Sequence, residues 1–215
     1  MAETFVLDHF MLATPDLATT AAEVQQRTRV RLTLDGRHPE QGTCKLLLRL
    51  GAGCGLELIG PDSGCDATGN LGEQLGRLPG PAVLMFGMRA SDIEDASARA
   101  TTLGLWADTS NCSRRTGPIV MSRLLPAGAL MRWRLLLLGG NAHEPAMPFF
   151  IQWESAPSIG SAHGRTLAKF WVDHPQSCGL AELYAALSVA QEVSVWPEVP
   201  SLELPLNAPR GAVMF

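Results

Sequence analysis

The chain has 215 residues, of which 46% are hydrophobic and 18% are charged, a balance typical of a compact protein with its own core. Its formal net charge of −4 argues against nucleic acid or an anionic membrane as a partner, because both need a concentrated basic surface. No stretch approaches the roughly 20 apolar residues of a membrane span. Glu3 and Asp8 stand where a signal peptide would be basic and then apolar. We therefore predict a cytoplasmic protein.

A short apolar strand that runs into a helix start occurs three times along the chain. The copies lie at residues 7–17, 84–93 and 169–180. Aligning Asp16 with Asp92 gives an offset of 92 − 16 = 76, and aligning Pro15 with Pro175 gives an offset of 175 − 15 = 160. Because repeated sequences usually fold as repeated supersecondary units, this pattern predicts equivalent modules with equivalent strands.

The helix starts carry recognisable capping residues. Thr14 is the candidate N-cap of the first helix, Pro15 suits the first turn, and Asp16 places an acid near the positive helix end. Ser91 and Glu94 form the spacing of a capping box at the second helix start. Both helices have a single apolar stripe, which favours packing on one face of a sheet.

The remaining elements complete two modules in the order strand, helix and three strands. The first module has a turn-rich loop over 36–43 and strands over 45–50 and 55–59, and the second has strands over 104–108, 118–124, 130–138 and 148–153. A third, partial copy has a helix over 179–188 and strands over 192–196, 202–205 and 212–215. The predicted boundaries are 1–62 and 82–158 for the two modules, 63–81 for a linker with a short helix at 71–78, and 159–215 for the partial module.

The order of elements favours an α+β fold over a doubly wound α/β fold. A parallel doubly wound sheet needs a helix after nearly every strand, whereas here three strands follow each helix through short turns. A Gly-rich phosphate loop after a strand is also missing from the sequence.

The five cysteines form an odd set without C-x-x-C spacing. We expect five free thiols in a reducing compartment, some of them small core residues. Cys44 is the one candidate nucleophile, because His38 lies nearby in the same loop-to-strand region.

Taken together, these segments resemble the glyoxalase-like domain family of the vicinal oxygen chelate superfamily. The resemblance rests on Leu7-Asp8-His9, Thr14-Pro15-Asp16-Leu17, residues 36–39 with Gly42-Thr43, and residues 56–59, 130–135 and 148–153. These segments span about residues 5–175. The resemblance implies two βαβββ modules, paired edge to edge, that form a curved mixed sheet around a concave pocket. It also implies a small-molecule ligand and self-association as a homodimer.

The resemblance further implies one divalent metal ion, Zn, Mn, Fe or Ni, with ligands from the first and last strands of each module. His9 and Glu57 occupy the ligand positions of the first module. In the second module the partner of His9 falls at 9 + 76 = 85, which is Met85, and that of Glu57 is expected at Gln152. A thioether is a poor ligand for such an ion. The implied metal site, with His9, Glu57 and Gln152, is therefore incomplete.

Several other residues are candidates for the pocket. Glu57 and Glu154 are the carboxylates expected to move a proton. Arg37 and His38 lie in the predicted turn, and Trp133, Gln152 and Trp153 lie on the last strands of the second module. Each also has a structural interpretation: a rim histidine for His9, surface residues for Arg37 and His38, and core positions for the tryptophans. Where the family pattern has a His-Pro after this tryptophan, residues 155–157 are Ser-Ala-Pro.

Three functional interpretations remain open. One is a metal-dependent lyase, isomerase or dioxygenase that acts on a small oxygenated molecule. Another is a metal-free protein that sequesters a ligand, as the bleomycin-resistance members of the superfamily do. The last is a scaffold whose pocket is vestigial. Met85 and Gln152 favour the second and third interpretations.

Overall fold

The computed structural model describes most of the chain. Described are residues 5–50, 53–65, 69–107, 117–124, 130–139, 146–155, 170–189, 193–196, 201–203, 206–208 and 211–213. Cys112, Lys169 and the turn predicted at 126–128 lie outside the described residues. None of the helices in the described part of the chain is long and apolar enough to cross a membrane.

The first module has the predicted order of strand, helix and three strands. Its elements are β1 (Val6–Ala13), α1 (Leu17–Thr28), β2 (Thr33–His38), β3 (Thr43–Arg49) and β4 (Gly55–Pro61), followed by the short helix α2 (Leu71–Gly76). The strands are hydrogen-bonded in the order β2-β3-β4-β1. β1 runs parallel to β4, and the other two pairs are antiparallel.

Half of the loop predicted at 36–43 belongs to strands β2 and β3, so this expectation was wrong in part. β2 continues to His38, and only Pro39–Gln41 form a turn of 3-10 helix. A register shift between Leu34 and Gly36 lets the glycine-containing segment stay paired with β3. Gly42 closes the turn at φ 61°, a conformation that favours glycine.

The second module repeats this order with an added two-stranded pair. Its elements are β5 (Ala82–Arg89), α3 (Ile93–Thr102), β6 (Trp106–Ala107), β7 (Ile119–Leu124), β8 (Leu130–Leu136), β9 (Leu138–Gly139) and β10 (Phe149–Trp153). The hydrogen-bonded order is β5-β10-β8-β7, and β6 pairs separately with β9. β5 is parallel to β10, as β1 is to β4. The chain thus has the predicted α+β fold of paired βαβββ modules.

The C-terminal part begins with the third copy of the strand-helix pattern. It consists of β11 (Phe170–Asp173), α4 (Ser177–Ala186), β12 (Val193–Trp196), β13 (Ser201–Glu203), β14 (Leu206–Ala208) and β15 (Gly211–Val213). β12, β11 and β13 form one small sheet in that order, and β14 pairs with β15. Of these strands, only β14 has no counterpart among the predicted elements.

The repeat is visible in the helix starts as well as in the strands. Asp16 and Asp92 are the N-caps of α1 and α3, with nearly the same φ of −133° and −131°. Each carboxylate accepts a backbone N–H of the first turn. Thr14 was expected to cap α1, but its hydroxyl instead lies 2.6 Å from the hydroxyl of Thr20. The expected cap at Ser91 is likewise wrong, since Asp92 holds that position.

The chain divides into two compact units, each with its own apolar core. One consists of His9–Leu84, Ile159–Trp171 and Leu202–Phe215, and the other of Met1–Asp8, Met85–Ser158 and Val172–Ser201. In the first unit the most buried apolar side chains are those of Phe10, Leu12, Val24, Leu48, Leu56, Leu58 and Phe170. In the second they are those of Phe5, Phe86, Met88, Ile93, Ala96, Phe150 and Leu180. Both cores therefore lie where the helices cover their strands.

The second unit also contains a buried phenol. The Tyr184 hydroxyl donates to the carbonyl oxygen of Ala146, and burial raises the pKa of this phenol well above its usual value. The cysteines are free thiols at the four described positions, Cys44, Cys54, Cys65 and Cys178.

Candidate functional site

Polar side chains from three strands of the first module share one face of the sheet. The paired positions are His9 with Gly55, Met11 with Glu57, Lys45 with Ile59 and Arg49 with Gly55. Paired residues point to the same side of a sheet, and so do alternate residues of one strand. His9, Lys45, Arg49 and Glu57 therefore lie on one face, here called the polar face.

An ion pair between Lys45 and Glu57 stands near the middle of the polar face. The Lys45 Nζ lies 2.6 Å from the Glu57 Oε1. The side chains are only 19% and 12% exposed, and His9 is 9% exposed. Taking charges out of water costs free energy unless they are paired. The sheet places these two groups in contact, so each charge offsets part of the cost of burying the other. Lys45 was not among the residues predicted for the site.

Phe149 is the counterpart of Glu57 in the second module. β1 places Met11 beside Glu57, and β5 places Gly87 beside Phe149. Met11 and Gly87 differ in number by 87 − 11 = 76, the same offset as Asp16 and Asp92. Phe149 is 5% exposed. A buried phenyl ring thus occupies the position of the carboxylate.

The backbone hydrogen bonds give the same alignment and correct the expected counterpart. The Thr14 N–H donates to the Ile59 carbonyl oxygen at 2.9 Å. The Ala90 N–H donates to the Ile151 carbonyl oxygen at the same distance. Because Ile59 and Ile151 are equivalent, the residue two positions earlier in β10 matches Glu57, and the expectation that this residue is Gln152 was wrong. Gln152 is three residues from Phe149, and because side chains alternate along a strand, it points to the opposite face.

Gln152 lies on the side of the sheet that α3 covers. Its Oε1 accepts the backbone N–H of Ile93 at 3.0 Å, so this amide holds the start of α3. Its register partner Arg134 forms an ion pair with Glu94 of the same helix. Glu154 is exposed and lies just after the end of β10. The structure therefore brings Gln152 to a helix start, and it brings neither Gln152 nor Glu154 to a position equivalent to the polar face.

Apolar side chains occupy the positions of Lys45, His9 and Glu57 in the second module. Leu135 pairs with Ile151 as Lys45 pairs with Ile59, so Leu135 is the counterpart of the lysine. Met85 is the counterpart of His9 by the repeat offset, as expected from the sequence. Together with Phe149, these side chains supply no charge. The acid, the ammonium and the imidazole therefore occur in one of the two copies.

The donor set does not fit a divalent ion held by ligands from both modules. His9 and Glu57 are suitable donors, but their counterparts are a thioether and a phenyl ring. The Lys45 ammonium already lies 2.6 Å from Glu57, where it would repel a metal cation. Among the described residues, no group of three or more His, Cys, Asp or Glu could hold a metal ion. The described residues thus do not supply the ligand set that the resemblance implies.

Arg37 is engaged in an ion pair on the other side of β2. It pairs in register with Cys44, the neighbour of Lys45, and so it points away from the polar face. Its Nη1 contacts the Asp62 Oδ1, and the Gly64 N–H donates to the same oxygen at 3.0 Å. The Arg37 guanidinium, followed by the Gly64 N–H, holds the pKa of Asp62 below its usual value.

His38 and Cys44 do not share a face. His38 pairs with Thr43, so it lies on the side of Lys45, whereas Cys44 points the opposite way. Burial raises the pKa of the Cys44 thiol, although the charge of Arg37 opposes this effect. A thiol kept protonated is a weak nucleophile, and the imidazole that was expected to activate it lies on the other side. The cysteine nucleophile is therefore not favoured.

Replacing Arg37 with glutamine is expected to destabilise the protein only where Asp62 is ionised. Because the folded-state pKa of Asp62 is depressed, the ion pair stabilises the fold fully above about pH 4 and less as the pH falls through the folded-state pKa. Urea midpoints of the wild type and the variant should therefore differ at neutral pH and converge in acid. A difference that persists unchanged in acid would mean that Arg37 acts through packing rather than charge.

The two candidate tryptophans pack together on the second module. Trp133 and Trp153 pair in register, with ring centroids 5.8 Å apart. The Trp153 Nε1 donates to the Asp8 Oδ2 at 3.1 Å, and the Arg89 Nε lies 2.6 Å from the same oxygen. Asp8 is fully buried. Both tryptophans were predicted ligand-binding residues, whereas the buried carboxylate that holds one of them was not predicted.

Comparisons with known proteins agree with this architecture. The glyoxalase-like domain matches residues 7–198, most of the chain. Among solved structures, a hypothetical protein from Staphylococcus aureus is 14% identical with a TM-score of 0.62, covering 98% of this chain and 84% of that chain. A methylmalonyl-CoA epimerase from Mycobacterium tuberculosis is 19% identical with a TM-score of 0.47, covering 74% and 95%. No curated protein matches the chain.

Proposed function

Because the chain belongs to the glyoxalase-like domain family, we propose that it binds a small oxygen-bearing organic molecule on the polar face, without a divalent metal. The observation that carries this proposal is the sheltered Lys45–Glu57 ion pair beside His9, with Met85 and Phe149 at the equivalent positions of the other module.

The charges of the polar face indicate the kind of ligand. Lys45 and Arg49 contribute two positive charges and Glu57 one negative charge, so the face has an excess of positive charge. A ligand with a negatively charged oxygen would complement this excess. His9 adds a ring that can donate or accept a hydrogen bond. Small carboxylates with a neighbouring carbonyl or hydroxyl oxygen match these groups best.

A second candidate function is catalysis of proton transfer on the same ligand, as in a lyase or an isomerase. The observation that favours it is the Glu57 carboxylate, which lies beside an ammonium group on a face that is mostly shielded from water. A carboxylate in this position can take a proton from a carbon atom or return one to it. In this case Glu57 is the base and His9 orients the ligand.

Measurements of metal content and thermal stability test the metal-free proposal. Protein purified without chelators is expected to hold far less than one metal ion per chain, and His9→Ala should leave that content unchanged. Small oxo- and hydroxycarboxylates should raise the melting temperature of the wild type, since a ligand at 100 times its Kd adds about 2.7 kcal/mol to the free energy of unfolding. Arg49→Gln, which removes one of the two positive charges of the polar face, should reduce that shift. One metal ion per chain that disappears in His9→Ala would overturn the proposal.

We also propose a homodimer in a reducing, cytoplasmic compartment. Four free cysteines at described positions support a reducing environment, where thiols persist without disulfides. Light scattering of the purified protein would give the mass directly, and a monomer of 23.0 kDa would contradict the dimer.

A further inference from the structure

We propose that Lys45 takes over the role of the absent metal ion, and that its ammonium stabilises an oxyanion formed on the bound ligand. This inference rests on the proposed function, because it requires a ligand on the polar face. It assigns a substrate class: carbon acids in which a C–H bond lies next to a carbonyl group, with a carboxylate as the second polar group.

The geometry gives Lys45 a positive charge beside Glu57, one of the two residues at the ligand positions that the resemblance implies. The ammonium contacts the carboxylate of Glu57 at 2.6 Å, and it projects from the strand beside β4 onto the face of His9. The register partner of Lys45 on β2 is Gly36, which has no side chain to cover the ammonium. A positive charge that is largely shielded from water interacts more strongly with a nearby anion than an exposed one does.

The choice of lysine at this position is specific within the chain. The sequence has only two lysines, Lys45 and Lys169, and 17 − 2 = 15 arginines. Cations elsewhere are therefore almost all guanidinium groups, which bind carboxylates in a planar, bidentate manner. A compact ammonium with three donors can contact Glu57 and a ligand oxygen at the same time. Its counterpart in the second module is Leu135, so the repeat itself does not require a cation here.

During the proton transfer, one negative charge moves from Glu57 to the ligand, and in both places it lies next to the Lys45 ammonium. The Glu57 carboxylate takes the proton from the carbon next to the carbonyl group, so that a C–H bond breaks and an O–H bond forms. The electron pair of the C–H bond moves into the ligand and places a negative charge on the carbonyl oxygen. Lys45 loses an ionised partner in Glu57 and gains one in that oxygen. Return of the proton to carbon restores both groups, and no oxidant or reductant is consumed.

This charge transfer explains why an ammonium could serve without a metal. The total charge of Lys45, Glu57 and the ligand is the same before and after the step. Only an interaction that becomes stronger as the reaction proceeds lowers the barrier, and the contact between Lys45 and the new oxyanion is of this kind. Arg49, which flanks Gly55 on the same face, is placed to hold the carboxylate of the ligand throughout.

The test compares two isosteric probes, oxalate and oxamate, by titration calorimetry. Oxalate has a negative oxygen where an enolate would have one, and oxamate has a neutral amide there. We expect wild-type protein to bind oxalate at least about tenfold more tightly than oxamate, and excess EDTA to leave both affinities unchanged. Lys45→Met should weaken oxalate binding by about 10- to 100-fold and oxamate binding by less than about threefold, as expected for one charged hydrogen bond.

Two further variants show whether a change in affinity comes from the Lys45 charge rather than from misfolding. Lys45→Arg retains the positive charge beside Glu57 and should restore part of the preference for oxalate. Arg27→Gln removes the positive charge of an exposed pair with Glu23 on α1 and makes the same change in net charge, and it should leave both affinities as they are. Circular dichroism and the melting temperature of each variant report whether it is folded.

Three results would overturn the inference. These are equal losses of oxalate and oxamate affinity in Lys45→Met, equal affinities in the wild type, and loss of oxalate binding when EDTA is added. The first two leave the proposed binding function standing if other carboxylates still stabilise the protein, whereas the third also contradicts its metal-free part. Failure of the whole panel of small carboxylates to stabilise the wild type would instead remove the binding function itself.

Discussion

Replacing Asp8 with alanine is expected to lower the free energy of unfolding by about 3 kcal/mol, the cost typical of breaking a buried ion pair. Asp8 is fully buried, and its Oδ2 receives both the Arg89 Nε at 2.6 Å and the Trp153 Nε1 at 3.1 Å. The variant removes the acceptor that the two donors share. Urea unfolding measures the change, and an unchanged slope of the transition shows that the denatured state is the same in both proteins.

Two control variants identify the cause of this loss. One shows how much depends on the charge of Asp8 rather than on its hydrogen bonds, and the other shows how much depends on burial. Asp8→Asn keeps an oxygen acceptor and loses the charge, so we expect a smaller loss of about 1–2 kcal/mol. Glu23→Ala removes the carboxylate of an exposed pair with Arg27, where the expected change is below about 0.5 kcal/mol. If Asp8→Ala were as stable as Glu23→Ala, the buried carboxylate would not contribute to the second module as the contacts indicate.

Replacing Gly87 with alanine should destabilise the second module by about 1–3 kcal/mol, because the added methyl group has no room. A Cβ atom at this position would lie 2.6 Å from the Phe149 Cζ and 2.8 Å from its Cε2. The ring is 5% exposed and cannot move aside without disturbing the core. Chemical denaturation of the variant gives the loss directly.

A second substitution and a matched glycine test the cause of that loss. Phe149→Leu in the Gly87→Ala background should recover part of the stability, and the double-mutant cycle measures the coupling between the two positions. Gly80→Ala places a methyl group with nothing within 4 Å, so we expect a change within about 0.5 kcal/mol. Equal stability of Gly87→Ala and Gly80→Ala would show that the ring does not lie over Gly87.

The order of the elements was predictable from the sequence because it depends on local signals. The strand-to-helix pattern around Asp16 recurs around Asp92, and the bounds of β1 and β5 keep the same offset. Apolar periodicity and turn residues identified most strands of both modules. The errors at Thr14 and Ser91 are small, since several residues before a helix can accept a backbone N–H and only the backbone conformation decides between them.

The site was harder to predict because it depends on strand register. Gln152 and Phe149 are three residues apart in one strand, and an odd shift moves a side chain to the other face. Lys45 is one of two charged residues in an otherwise largely apolar strand, a signal comparable to that of Glu57, but their contact depends on how β3 pairs with β4. The ion pair of Asp8 with Arg89 joins residues 81 positions apart, which no local pattern can indicate.

The difference between the two modules has a consequence for ligand titrations. A chain with two equivalent modules could carry two equivalent sites and give a biphasic or cooperative isotherm. Because Met85, Leu135 and Phe149 replace His9, Lys45 and Glu57 in the second copy, a ligand that needs these groups can bind at the first module but not at the equivalent described positions of the second. Saturation should therefore occur at one molecule per polypeptide, and any cooperativity would have to arise between chains rather than within one.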